Sequence, residues 1–381
     1  MTASVCLFTD SWHPSGVGEH MLTLAGELRD RYRLSVVFPP SPSALPLLDR
    51  AAAMGIETLP LFVNGEPTGV EALSAWLRAR QCDLFHAHAG IGWEGHGGVR
   101  AAHTVGVTAV VRTEHLPYLL TKERDRLAYR RTLAEVDRIV CVSQGVYQTH
   151  VAGGVPPAML RIVRNGITPR PPRTRNTALR AELGVPPDGR VLLAVGRLNE
   201  QKGYPYLIDA MLDVRDALPD AHLVIAGTGP HRHRLHARAW ARGLSSVVHF
   251  AGPRTDVPDL LAAADLFVLA SEFEGLPLSL MEAMAAALPA VGTDVCGTSE
   301  IILDGVTGCL VPPRNSAALA RAVVEALSDR ARAATWGTAG RQRALTHFSA
   351  ERMAGETAAL YDELLQTSTT GVLAAPSMRN A

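Results

Sequence analysis

The sequence predicts an α/β protein made of two consecutive doubly wound domains. Three observations carry that prediction. Apolar runs of about four to eight residues alternate with amphipathic stretches of about ten to eighteen, the pattern of parallel strands covered on both faces by helices. The alternation stops once, at the Pro-rich polar segment Thr168–Asn176, and then resumes. The length, 381 residues, accommodates two such domains at about 150 residues each.

In the first half, Val5–Phe8, Leu34–Phe38, Leu84–His86, Ala109–Arg112 and Arg138–Val142 read as strands; Glu19–Tyr32, Val70–Arg80, Gly97–Val105 and Glu123–Val136 read as helices. In the second half the strands are Val191–Val195, His222–Ala226, Val247–Phe250, Leu266–Leu269, Ala290–Gly292 and Cys309–Val311. Its helices are Tyr204–Arg215, Arg232–Arg242, Val257–Ala263, Leu278–Ala287 and Ala317–Leu327. A last amphipathic helix, Ala350–Gln366, precedes a small, polar tail, 367–381, that reads as disordered. The expected division is residues 1–168, a linker and second-domain start at 169–189, and residues 190–349.

Composition narrows the function. Lys+Arg and Asp+Glu are both 37, and a balanced charge argues against nucleic acid, whose phosphates call for a basic excess. No apolar run of about 18 residues occurs, so no spanning helix is expected, and the N-terminus reads as a first strand rather than a signal peptide. The five cysteines form no CxxC pair, which disfavours zinc and a disulfide framework; they read as mostly buried thiols of a cytoplasmic protein.

Only two basic residues are lysines, Lys122 and Lys202. Lys202 belongs to Gly196-Arg197-Leu198-Asn199-Glu200-Gln201-Lys202-Gly203, between a strand and a helix. Two cations on one loop at a helix start suit a diphosphate, and a compact ammonium suits a leaving phosphate. A second stretch, Ser271–Met284, also follows a strand. There Pro277 fits a helix start, Gly275, Leu276, Pro277 and Leu278 mark N–H groups for an anion or sugar hydroxyls, Glu274 lies just before the helix, and Glu282 inside it. A carboxylate on so apolar a helix needs partners, and vicinal ribose hydroxyls would serve.

With Glu274 and Glu282 spaced as they are after Gly196-Arg197-Leu198-x3-Lys202-Gly203, the chain resembles the retaining nucleotide-sugar glycosyltransferases of the GT-B fold, family four, from Pro14 to about Leu327. Gly227-Thr228-Gly229-Pro230 and Gly305-x2-Gly308-x-Leu310-Val311 resemble further turns of that family. The resemblance implies two Rossmann-like domains facing across a cleft, with the C-terminal helix crossing back to the first. It implies that Arg197 and Lys202 meet the diphosphate, that Glu274 holds donor-sugar hydroxyls, and that Glu282 binds ribose. Two positions depart from the family: Cys296 precedes Gly297 where it has paired glycines, and Thr168 replaces an acid after Asn165-Gly166-Ile167.

On the acceptor side, Trp12–His20 reads as a glycine loop at a helix start. It lacks the third glycine and the later acid of a dinucleotide fingerprint, so a dehydrogenase is disfavoured. The family uses this loop near donor phosphate and acceptor, which singles out Gly16 and Val17. His86 and His88 share one strand face, a spacing that suggests metal, but no third spaced ligand accompanies them and no metal site is expected. His115 matches the family's donor-sugar histidine; His88 and Trp93, the latter in a Gly-rich loop, are acceptor-side candidates, and Arg254 could meet the base.

The expected reaction moves a sugar with retention from a nucleoside diphosphate sugar, UDP favoured over GDP, to a hydroxyl of a glycan, lipid-linked sugar or small metabolite. No cofactor is expected. Peripheral contact with the inner face of a membrane stays open, as does the oligomeric state. A sugar-nucleotide epimerase, a phosphorylase using Lys202 for its cofactor, and a non-catalytic sugar-nucleotide-binding protein are the alternatives.

Overall fold

A computed structural model describes residues 2–63, 66–169 and 177–369. The chain divides into two compact units, residues 1–168 with 350–381 and residues 169–349.

The first unit holds a seven-stranded sheet of β1 (Ser4–Phe8), β2 (Arg33–Phe38), β3 (Glu57–Pro60), β4 (Leu84–Ala89), β5 (Ala109–Glu114), β6 (Arg138–Cys141) and β7 (Leu160–Ile162). Their order is β3-β2-β1-β4-β5-β6-β7, every pair parallel. β1 and β4 are buried along their whole length, as the central strands of a sheet covered on both faces, with His86 and His88 carried into the interior of β4. β3 and β7 were not among the expected strands. Both are edge strands with half-exposed residues, ETLP and LRI, and an edge needs no apolar run.

The second unit holds β8 (Arg190–Val195), β9 (Ala221–Ala226), β10 (Val248–Gly252), β11 (Leu266–Leu269), β12 (Ala290–Thr293) and β13 (Cys309–Val311). Their order is β10-β9-β8-β11-β12-β13, again all parallel. All six coincide with expected strands to within a residue or two. Its core joins Leu192, Leu223, Ile225 and Val268 of the strands to Leu207, Met211, Leu319 and Val323 of the helices.

Each sheet reverses its winding once, between β1 and β4 in the first unit and between β8 and β11 in the second. Loops leaving the C-terminal ends of such strand pairs diverge to opposite faces and open a crevice, the usual ligand position in this architecture.

Several boundaries differ from expectation. The first helix runs Ser15–Leu28 rather than Glu19–Tyr32, so Gly16 and Val17 lie in its first turn and not in a loop. Pro14, just before it, sets the helical φ early. The last helix continues to Thr369, past the expected start of the tail; residues 370–381 and 170–176, where most of the tail and the Pro-rich linker fall, lie outside the described residues. Cys6 and Cys141 are buried, whereas Cys82, Cys296 and Cys309 are only half-buried.

That last helix returns the chain to the first unit. Met353, Ala358, Tyr361 and Leu364 pack with Met21, Leu24, Val111 and Val140 in one core, and the Ala350 N–H donates to the Ile167 carbonyl at 2.9 Å. Among the described residues no helix is long and apolar enough to cross a membrane.

Candidate active site

In the second unit the crevice between β8 and β11 gathers most of the predicted residues. β8 ends at Val195, and the chain turns through Gly196 and Arg197 into a short 3-10 turn, Glu200–Lys202. Gly203 follows with φ +60°, and the helix Tyr204–Ala217 begins. A Cβ at Gly203 would stand 1.9 Å from the Ala270 carbonyl oxygen at the end of β11, so only glycine lets the two strand ends come this close. The same holds at Gly227, with φ +146°, where a Cβ would stand 2.0 Å from the Gly196 carbonyl oxygen.

The result is a direct bond between residues 72 positions apart: Lys202 Nζ donates to Glu274 Oε1 at 2.6 Å. Ser271 Oγ donates to the same oxygen at 2.6 Å, and Gln201 Nε2 donates to the Phe273 carbonyl at 3.1 Å. The Glu274 side chain is 5% exposed and the Lys202 side chain 15%, so the pair is charge-neutral and largely dry. The sequence gives these two residues separate tasks; the fold makes each the other's counterion. Arg197 is half-exposed beside them and, among the described residues, its guanidinium makes no ion pair. It is therefore the one cation of this loop not committed to Glu274, with the exposed carboxylate of Glu200 on the same loop.

Gly275, Leu276 and Pro277 are buried after Glu274, and Leu278 opens the helix Leu278–Ala285. Its first N–H groups have no acceptor a turn back within the helix and form an anion-favouring end beside the ion pair. Glu282 departs from expectation: it is exposed on this helix, so its carboxylate is not the buried charge the apolar neighbours suggested. Ridges of Met281, Ala283, Met284 and Ala285 face the core, and Glu282 occupies the remaining direction. Arg254 is held by carboxylates: Nε and Nη2 donate to Asp256 at 2.8 and 2.6 Å, and Nη1 to Glu182 at 2.6 Å. Cys296 lies half-buried after β12.

The first unit builds a second cluster at its own crevice. His88 is the last residue but one of β4, His115 follows β5, and His20 comes from the second turn of the helix after β1. The His86 and His88 rings share one face with centroids 4.1 Å apart, as the alternate spacing requires. His88 Nδ1 and His115 Nε2 are 3.2 Å apart, and the His20 ring stands 4.6 Å from that of His115. Sequence reasoning missed His20, because nothing in the 65 positions between it and His86 signals their proximity. His86 is bound on both nitrogens, to Tyr361 Oη at 2.5 Å and Thr113 Oγ1 at 2.7 Å.

Burial holds these rings neutral. It pushes His20 down to about 4 against a stabilising Asn165 contact, and His86 down to about 3 with help from His20; His88 and His115 are also well below the usual range. The unfolded chain takes up these protons near pH 6.5 and the folded unit refuses them. Stability is therefore complete above about pH 6.5 and falls as the pH drops towards 4, by about 3 kcal/mol for each of His20 and His86. Melting temperatures between pH 7 and pH 4 should fall steeply, and His86→Gln should flatten that slope; a flat wild-type profile would contradict the neutral cluster.

Trp93 is 55% exposed on the loop after β4. Buried Arg112 donates to the Glu94 carbonyl at 2.6 Å and to Glu114 Oε1 at 2.5 Å, while the Asp10 carboxylate accepts the Gly95 N–H at 2.9 Å. Burial, with Glu94 nearby, lifts Asp10 to about 7 despite the Gly95 bond. The sequence reading passed over Arg112 and Asp10, which hold the backbone at Glu94 and Gly95; for Arg112 the signal is the charged pair inside the strand Val110-Val111-Arg112-Thr113-Glu114.

Known proteins resemble this chain in sequence and in fold. Residues 14–170 match the family model described as Glycosyltransferase Family 4, and residues 175–343 match that described as Glycosyl transferases group 1. The lipopolysaccharide core biosynthesis mannosyltransferase LpsB of Rhizobium meliloti is 33% identical over 52% of this chain, a match spanning 58% of LpsB. The alpha-maltose-1-phosphate synthase of Mycolicibacterium smegmatis is 29% identical over 94% of this chain and 98% of its own length. Anabaena Alr3699/HepE, solved in complex with UDP and glucose, superposes with a TM-score of 0.82 at 22% identity, covering 95% of this chain and all of that one. With both halves matched in sequence and the GT-B architecture matched in structure, this chain belongs to the group 1 glycosyltransferases.

Proposed function

We propose that the enzyme transfers a sugar from a nucleoside diphosphate sugar to an acceptor hydroxyl with retention of anomeric configuration. One observation carries this reading: the β8–β11 crevice presents an uncommitted guanidinium, Arg197, beside the Lys202–Glu274 pair and a helix N-terminus. In this reading Arg197, Lys202 and the N–H groups near Gly275–Leu278 stabilise charge growing on the leaving diphosphate. Glu274, locked by Lys202 and Ser271, accepts from hydroxyls of the donor sugar with its remaining lone pairs. Glu282, on the solvent side of its helix, is placed for the ribose. Gly16 and Val17 contribute N–H groups from a helix start, and His115 contributes Nδ1, since its Nε2 faces His88. Departure and attack occur on one face, the leaving phosphate oxygen taking the acceptor proton. These cations carry the diphosphate charge without a divalent ion in that crevice.

The HepE complexes with UDP support a uridine nucleotide as first choice. His88 and Trp93 mark the acceptor side, with Trp93 offering a ring face to a sugar. The test is a screen of UDP- and GDP-sugars by thermal shift and turnover, with product anomers read by NMR. The matching nucleotide at 100 times its Kd should stabilise the protein by about 2.7 kcal/mol. Interconversion of the donor without transfer would replace this reading by an epimerase, and nucleotide binding without any turnover by a binding protein. Stabilisation by no nucleotide would overturn the donor assignment.

A further inference from the structure

We propose that His20, His88 and His115 form a binding site for one divalent transition-metal ion, zinc being the first candidate. The three side chains come from separate elements that meet at the β1–β4 crevice, and they are 4%, 0% and 8% exposed. One nitrogen from each lies within 4.8 Å of the other two. The His88 Nδ1 to His115 Nε2 separation of 3.2 Å is close to the ~3.4 Å between two nitrogens on one tetrahedral ion with ~2.1 Å bonds. A small rotation of the His20 ring completes the set.

A second observation points the same way. His20 Nδ1 is a buried polar atom without a hydrogen-bond partner. An orphan of this kind costs roughly 1–3 kcal/mol, and few survive without a reason. A bound ion would take up the lone pair of His20 Nδ1 and replace the His88 Nδ1–His115 Nε2 hydrogen bond by two bonds to the metal. The rings are already neutral, the form that ligates, so no proton has to leave first. The surroundings are those of a metal shell: Asn165 contacts His20, and His86 stacks on His88 while its own nitrogens are engaged by Tyr361 and Thr113. An all-nitrogen donor set selects zinc, cobalt, nickel or copper over magnesium and calcium, which prefer oxygen. Three histidines leave a fourth position open, and His115 is the most exposed of them.

The site is distinct from the diphosphate crevice and does not depend on it. It bears on the proposed reaction at one point, which rests on the reading above: an ion on His115 Nε2 fixes the ring proton on Nδ1, making that nitrogen a donor to a sugar hydroxyl.

The test uses the full chain, stripped by a chelator and titrated with Co²⁺. One equivalent should bind with the strong visible d–d absorption of four-coordinate cobalt, be displaced by Zn²⁺ and resist Mg²⁺. His20→Gln and His88→Gln should each abolish the band. His222→Gln, which breaks the separate His222–His249 pair 3.0 Å apart, should retain it. No stoichiometric band in the wild-type chain, or a band that survives in both cluster variants, overturns the site. If either variant fails to fold by circular dichroism, X-ray absorption of the wild-type complex decides: a shell containing three imidazoles supports the site, and any other overturns it. None of these readouts requires donor or acceptor, so glycosyl transfer and metal binding stand or fall separately.

Discussion

Lys202→Ala should lower kcat/KM by about 10²–10³, the loss expected when one preorganised charge leaves a developing diphosphate. It should also destabilise the protein, which the sequence alone would not suggest. Glu274 is buried and takes the Lys202 ammonium at 2.6 Å, so the substitution strands a carboxylate in a dry pocket. Breaking one side of such a pair costs about 3–5 kcal/mol. The double substitution Lys202→Ala with Glu274→Gln separates the two effects. The melting temperature should recover because no charge is left uncompensated, while turnover stays low because both the ammonium and the carboxylate are gone. An unchanged rate in Lys202→Ala would remove the diphosphate assignment; a low rate restored in the double variant would reduce Lys202 to a structural counterion.

Gly203→Ala should be the most damaging single methyl in the second unit. The new Cβ would stand 1.9 Å from the Ala270 carbonyl oxygen, a rigid backbone atom, and φ is +60°. Both the strand ends and the backbone angle resist, so about 3 kcal/mol or more of stability should be lost. The geometric consequence is as important. The β8 and β11 ends must separate, and the Lys202–Glu274 bond spans that gap. Nucleotide stabilisation should therefore weaken along with the melt. Gly243→Ala makes a useful control, because its φ is also positive, +65°, but no atom lies within 4 Å of the added methyl. It should lower stability modestly and leave nucleotide affinity unchanged. Equal effects from both would show that the backbone angle, not the closeness of the two strands, sets the cost.

The fold was legible because buried parallel strands are the least ambiguous local signal. Leu266–Leu269 and Cys309–Val311 are found where their apolar runs stand. The strands that escaped, Glu57–Pro60 and Leu160–Ile162, sit at sheet edges and pack on fewer sides, so their composition carries little pattern. The helix Arg330–His347 escaped for a related reason: of its 18 residues only Trp336, Gly337, Gly340 and Ala344 are buried, too thin a stripe to read against so many arginines and alanines. In the candidate site, residue identities were legible wherever they sat in one loop, as Arg197 and Lys202 do. What no local pattern held was partnership across the sheet. The Lys202–Glu274 pair, the Arg254–Glu182 contact and the meeting of His20 with His88 all join residues that only the fold makes neighbours.

The route of the chain has a consequence for biosynthesis. Residues 169–349 are spliced into the first unit, entering after Thr168 and leaving before Ala350, whose amide closes on Ile167. During translation the seven-stranded sheet is complete once Ile162 has emerged, yet Met353, Ala358, Tyr361 and Leu364 of its core are still to be made. The amino-terminal half must wait, with apolar surface uncovered, while the carboxy-terminal half is synthesised and folds. In this molecule the first part begun is the last part finished, and emergence of the helix Ala350–Thr369, rather than of the leading half, sets the moment at which it matures.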